Sequence, residues 1–117
     1  MAITTNDLQP DSYGFAANAT SADARGCEEI VATPGAGKNL HLKHVTISSG
    51  AAIAITLGTS ENAGAVKNVV LGPISFGANQ TIQWIFNPSI ELTENESLTV
   101  DADGAGAVTV FAQGFTT

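Results

Sequence analysis

Few residues of this chain are of a type that does chemistry, and their spacing argues against most of the chemistry they suggest. His41 and His44 are metal-ligating types, but three residues apart on an extended strand they point to opposite faces. No second Cys or further His exists to complete a tetrahedral set. Asp101-Ala102-Asp103-Gly104 has the form of the opening of a calcium loop, two hard oxygen ligands before a glycine turn. The rest of that loop is missing, and a hairpin turn is the plainer reading. Asp101 and Asp103 are therefore the one metal candidate, for Ca²⁺, with Glu91, Glu94 and Glu96 available from a neighbouring loop. Gly35-Ala36-Gly37-Lys38 has the glycines and lysine of a phosphate loop, but Asn39 follows where Ser or Thr is needed, and a strand follows where a helix is needed. No nucleophile stands in a recognisable elbow or beside a base, so the chain is not expected to be an enzyme, and no cofactor is expected.

Behind these residues lies a train of short apolar segments. Leu40-His41-Leu42, Ile53-Ala54-Ile55-Thr56-Leu57, Ile82-Gln83-Trp84-Ile85-Phe86, Leu98-Thr99-Val100 and Val108-Thr109-Val110 alternate with the period of two of a half-buried strand. About eight strands are expected, over 28–33, 40–48, 52–57, 66–71, 74–76, 81–86, 90–100 in two pieces, and 107–115. Between them Gly72-Pro73, Gly77-Ala78-Asn79, Asn87-Pro88 and Asp103-Gly104 supply turn chemistry. The fold class is all-β, an antiparallel β-sandwich of jelly-roll type. Leu40 and Leu42 have the opposite parity from Val45 and Ile47. Either a β-bulge near Lys43 and His44 or a strand crossing from one sheet to the other would repair the phase.

Residues 1–26 read differently, as an extended N-terminal arm preceding a sandwich domain over 27–117. The stretch is rich in Asn, Asp, Ser, Thr and Ala, shows no clear period, and has Tyr13 and Phe15 as its large anchors. Its cover comes either from its own sandwich or from a neighbouring chain.

Charge and composition exclude several functions. The chain has 117 residues and a net charge of −7, with Arg25, Lys38, Lys43 and Lys67 as its only Lys and Arg residues. Four scattered cations against eleven carboxylates build no positive groove, so neither nucleic acid nor an acidic membrane surface is an expected partner. Charged residues make up 13%, about half the usual share, which suits a protein packed against other proteins over much of its surface. Cys27 is the only cysteine, so no intrachain disulfide forms and a structural thiol is expected. The start Met-Ala-Ile-Thr-Thr-Asn-Asp has neither a basic nor an apolar leader region, so synthesis in a cytoplasm without a secretion signal is expected. The triplets at Asn18, Asn79 and Asn95 are then incidental.

Function must be sought in surfaces. If Ile82, Trp84 and Phe86 face the core, Ile85 faces out; if Val108 and Val110 face the core, Phe111 and Phe115 face out. Those outward positions need cover, from Tyr13 and Phe15 or from another subunit. The expected contact residues are accordingly Tyr13, Phe15, Ile85, Phe111 and Phe115.

The run Val70-Leu71-Gly72-Pro73-Ile74-Ser75-Phe76-Gly77-Ala78-Asn79, then Phe86-Asn87-Pro88, Glu96-Ser97-Leu98-Thr99-Val100 and the closing 107–115, resembles small β-sandwich virion proteins of tailed bacteriophages. Among these it is most similar to capsid decoration, or cement, proteins. The resemblance implies a structural role on the outer surface of the capsid, a homotrimer, the major capsid protein as partner, and an arm that reaches the shell. The alternative is a receptor- or carbohydrate-binding module of a phage fibre or tail, with Trp84 or Tyr13 in a sugar groove; the 6% aromatic content argues against it.

Overall fold

The computed structural model describes residues 3–7, 14–60 and 65–117, with the side chains of 6 and 7 left aside. These residues form β1 (Thr4–Asp7), β2 (Gly14–Ser21), β3 (Glu28–Val31), β4 (Leu40–Ser49), β5 (Ala54–Ser60), β6 (Asn68–Ser75), β7 (Gln80–Glu91), β8 (Ser97–Ala102) and β9 (Val108–Thr116), with no helix among them. Two antiparallel sheets result. One has five strands in the order β1-β2-β9-β4-β7, and the other has four in the order β3-β8-β5-β6.

The alternation that marks the strands also builds the core. In β4 the inward residues Leu40, Leu42, Val45 and Ile47 are each no more than 2% exposed. They meet Val108, Val110 and Ala112 of β9 on their own sheet, and Ile55, Leu57, Leu98 and Val100 from the sheet opposite. Burying a side chain of this size contributes about 1.5–3 kcal/mol relative to leaving it exposed, so this double row is the main source of stability. Packing loosens toward the side where β6 and β7 end the two sheets. There Val70, Leu71, Ile74, Ile82, Trp84 and Phe86 touch the core while remaining partly exposed. Trp84 faces the core and, lying on an edge strand, stays half-buried.

The parity slip in β4 is a bulge, and the strand stays in one sheet. Leu42 pairs with Ile90 and His44 with Ile85, and on the other side Leu42 pairs with Gly114 and His44 with Gln113. Lys43 is the extra residue. The reading that His41 and His44 point to opposite faces is corrected here, because inserting one residue between them returns both to the outer face.

Two dipeptides expected to turn the chain do not. Gly72-Pro73 lies inside β6, where Ile74 pairs with Ile55 and Leu71 with Leu57, so that the dipeptide bulges opposite Thr56. Asn87-Pro88 lies inside β7, where Phe86 to Ser89 stand opposite Lys43 alone. Both strands are sheet edges, and an edge is where a residue without a backbone N–H is tolerated.

Between residues 14 and 21 the cover of the polar N-terminal stretch comes from its own sandwich. This segment is β2, paired residue for residue with β9 from Gly14 with Phe115 to Ser21 with Val108. Phe15, expected at an interface, is 8% exposed and belongs to the core. Its partner across the ladder is Gly114, and the missing side chain there leaves the space its ring occupies.

Candidate functional site

With the bulge in place, the outer face of the five-stranded sheet gathers the residues that sequence parity had turned outward. His41 pairs with Phe115 across the ladder, and their rings stack with centroids 4.5 Å apart and planes within 5°. His44 meets Phe111 edge-on at 5.6 Å and 61°. The Gln83 carboxamide nitrogen lies 2.9 Å from His44 Nε2, and the Thr46 hydroxyl lies 3.4 Å from the same nitrogen. His44 Nδ1 is buried and has no hydrogen-bond partner. His41 Nε2 shares a hydrogen bond with Thr117 Oγ1 at 3.1 Å and faces Glu91 Oε2 at 3.6 Å. Beside these rings Ile85 stands 71% exposed, in register with His44. The two histidines thus fix the orientation of two phenylalanines on a mainly neutral surface.

Of the expected contact residues, Ile85, Phe111 and Phe115 share this face. Phe15 lies in the core, and Tyr13 lies outside the described residues.

The calcium candidates are engaged elsewhere. Asp101 Oδ1 accepts from the Gly26 backbone N–H at 3.2 Å, and Asp103 Oδ1 accepts from the Ala54 N–H at 2.8 Å. The glutamates proposed to join them diverge: Glu91 faces His41, Glu94 accepts from the Gly37 N–H at 2.7 Å, and Glu96 turns into the protein. Among the described residues no three His, Cys, Asp or Glu side chains gather as a metal-ion set. The Gly37–Glu94 bond also fixes the fate of the glycine turn. Gly35 and Gly37 take positive φ of 110° and 79°, and the amide of Gly37 points at a carboxylate instead of a phosphate.

Glu96, considered above only as a loop carboxylate that could join the calcium candidate, is 2% exposed. It accepts from the Thr59 hydroxyl at 2.7 Å and the Asn68 carboxamide at 3.0 Å, with the Lys67 ammonium 3.6 Å away. Burial pushes its carboxyl up, but those hydrogen bonds and the nearby cation outweigh burial and hold it below the usual carboxylate range. The cluster ties β5 and β6 to the segment entering β8. Cys27 is buried, and desolvation raises its thiol, so the nucleophilic thiolate is disfavoured.

Where β7 bows away from Lys43, a cavity of about 500 Å³ opens on the outer face. Lys43, His44, Asn87, Ser89 and Gln113 line it together with the apolar Ile85 and Phe86. No sequence motif points to it, since it exists only because the extra residue of β4 meets four residues of β7. The parity slip at Lys43 was the one available signal. Set against known proteins, the chain matches no family model, no curated protein and no solved structure.

Proposed function

We propose that this protein is a virion structural protein that decorates and stabilises a bacteriophage capsid by bridging capsomers. It acts as a homotrimer on the outer surface of the shell, with the major capsid protein as its partner. The observation that carries this reading is the outer face of the five-stranded sheet, where Ile85 is 71% exposed beside the half-buried rings of Phe111 and Phe115. Apolar side chains held in fixed orientation on a sheet, with few charges around them, suit a surface covered by another protein. Strand order supports the jelly-roll part of the reading. β2-β9-β4-β7 faces β3-β8-β5-β6, so that successive strands after β2 repeatedly cross between the sheets, as two interleaved Greek keys require. The contact set in this proposal is Ile85, Phe111 and Phe115, and β2 serves as a sheet strand instead of a reaching arm.

The test is molar mass by light scattering, followed by sedimentation with undecorated heads of the phage that encodes the chain. A trimer that pellets with heads at a fixed ratio to capsid protein is expected. A monomer that stays in the supernatant would overturn the proposal.

A further inference from the structure

We propose that the cavity beside the β4 bulge is a binding site for an acidic monosaccharide, a sugar carrying a carboxylate. The inference concerns the free chain, because Ile85 beside the site also belongs to the contact set proposed above.

Two local departures from the ladder shape the site. Lys43 is the extra residue of β4, and Phe86 to Ser89 stand opposite it without ladder partners, so β7 bows outward and leaves about 500 Å³ between the strands. That volume lies within the range of small-ligand pockets, about 300–1,000 Å³, and suits one sugar ring with its hydration displaced. Beside the apolar Ile85 and Phe86, the lining carries hydrogen-bonding groups of the kind that match ring hydroxyls: the carboxamides of Asn87 and Gln113 and the hydroxyl of Ser89. Ile85, strongly exposed at its side, offers an apolar surface for the C–H face of a ring.

Charge selects the acidic member of the class. The chain carries a net charge of −7, yet no carboxylate lines this cavity and one ammonium does. Arg25 is held by Asp23 at 2.6 Å and Lys67 faces Glu96 at 3.6 Å, whereas Lys43 has no ion pair among the described residues. The nearest glutamate along β7, Glu91, faces His41. A carboxylate entering here meets a cation whose charge no neighbour neutralises, within an otherwise acidic protein. A neutral sugar lacks that interaction, and a simple carboxylate lacks the hydroxyls that Asn87, Ser89 and Gln113 would recognise.

The experiment is a titration of the full ¹⁵N-labelled chain, followed by amide resonances, with glucuronic acid, glucose and acetate as separate probes. Glucuronate is expected to bind in the millimolar range and to shift the resonances of Lys43, His44, Asn87 and Gln113, with glucose and acetate binding at least several-fold more weakly. Lys43→Gln, at an exposed position, should leave the amide spectrum folded and weaken glucuronate about fivefold, the loss of one solvent-exposed ion pair. Four results would each overturn the proposal: no shift at these residues with glucuronate, shifts confined to another part of the sandwich, glucose or acetate binding as well as glucuronate, or unchanged affinity in Lys43→Gln.

Discussion

Replacing Glu96 by Gln tests whether a buried negative charge holds the β5, β6 and β8 region together. The carboxylate accepts two hydrogen bonds, from Thr59 at 2.7 Å and Asn68 at 3.0 Å, and faces Lys67 at 3.6 Å. A hydrogen bond to a charged group contributes about 1.5–3 kcal/mol net and one between neutral groups about 1. Gln keeps the shape and an acceptor oxygen but demotes both bonds to the neutral kind and turns an NH₂ toward the ammonium. Lys67 is 54% exposed, so losing its attraction adds less than about 1 kcal/mol. The sum is a destabilisation of about 2–3 kcal/mol at neutral pH, or roughly 8–12 °C in Tm for a domain of this size. The pH dependence has a definite sign. Because the folded carboxyl sits below its ordinary value, its stabilisation is complete above the unfolded glutamate value, near 4.3, and is lost as pH falls through the lower folded value. The gap between parent and Glu96→Gln, measured by urea unfolding at a series of pH values, should therefore be full at pH 7 and shrink below about pH 4. A gap under about 0.5 kcal/mol at pH 7, within the noise of an ordinary surface change, would refute the reasoning. So would a gap that stays constant into acid.

Three further outcomes are expected. Gly114→Ala should destabilise by about 3 kcal/mol or more, since a Cβ there would overlap the His41 carbonyl oxygen and the Phe15 ring; thermal unfolding within 3 °C of the parent would show that the bulge can yield. Deleting residues 1–21 should abolish cooperative unfolding in calorimetry, because it removes β2 and strips the full-length partner of β9; a sharp transition in the deleted chain would show that β9 tolerates an open edge. Phe111→Asp, on the outer face, should keep the fold and lower the molar mass seen by light scattering toward the monomer, whereas unchanged mass would remove Phe111 from any contact between copies.

How far the sequence foretold this arrangement depended on side-chain size and on where proline falls. The inward rows of β4, β8 and β9 were legible because Leu, Ile and Val alternate there, and the slip at Lys43 was legible because parity changed across it. β2 was not, because Phe15, Ala17 and Ala19 alternate with Ala16, Asn18 and Thr20, and alanine carries little contrast between inside and outside. Gly72-Pro73 and Asn87-Pro88 read as turns because both residues favour reversals; only the position of β6 and β7 at sheet edges lets the same residues form bulges. On the outer face, Ile85, Phe111 and Phe115 followed from parity alone. The burial of Phe15 did not, since it depends on a glycine about a hundred positions later in the chain lying across from it.

The edges of the two sheets also bear on how many copies of this protein can be crowded together. Among the described residues β1 and β3 end their sheets with four residues each, too few to template a stable added strand. β6 and β7 are longer, but a strand arriving at β7 could follow it from Gln80 to Ile85 before the bow at Phe86 to Ser89 broke the match, and β6 breaks at Gly72-Pro73 in the same way. Pairing between sheets of neighbouring molecules is thus limited to short stretches of each edge, which disfavours fibre growth when many copies are crowded.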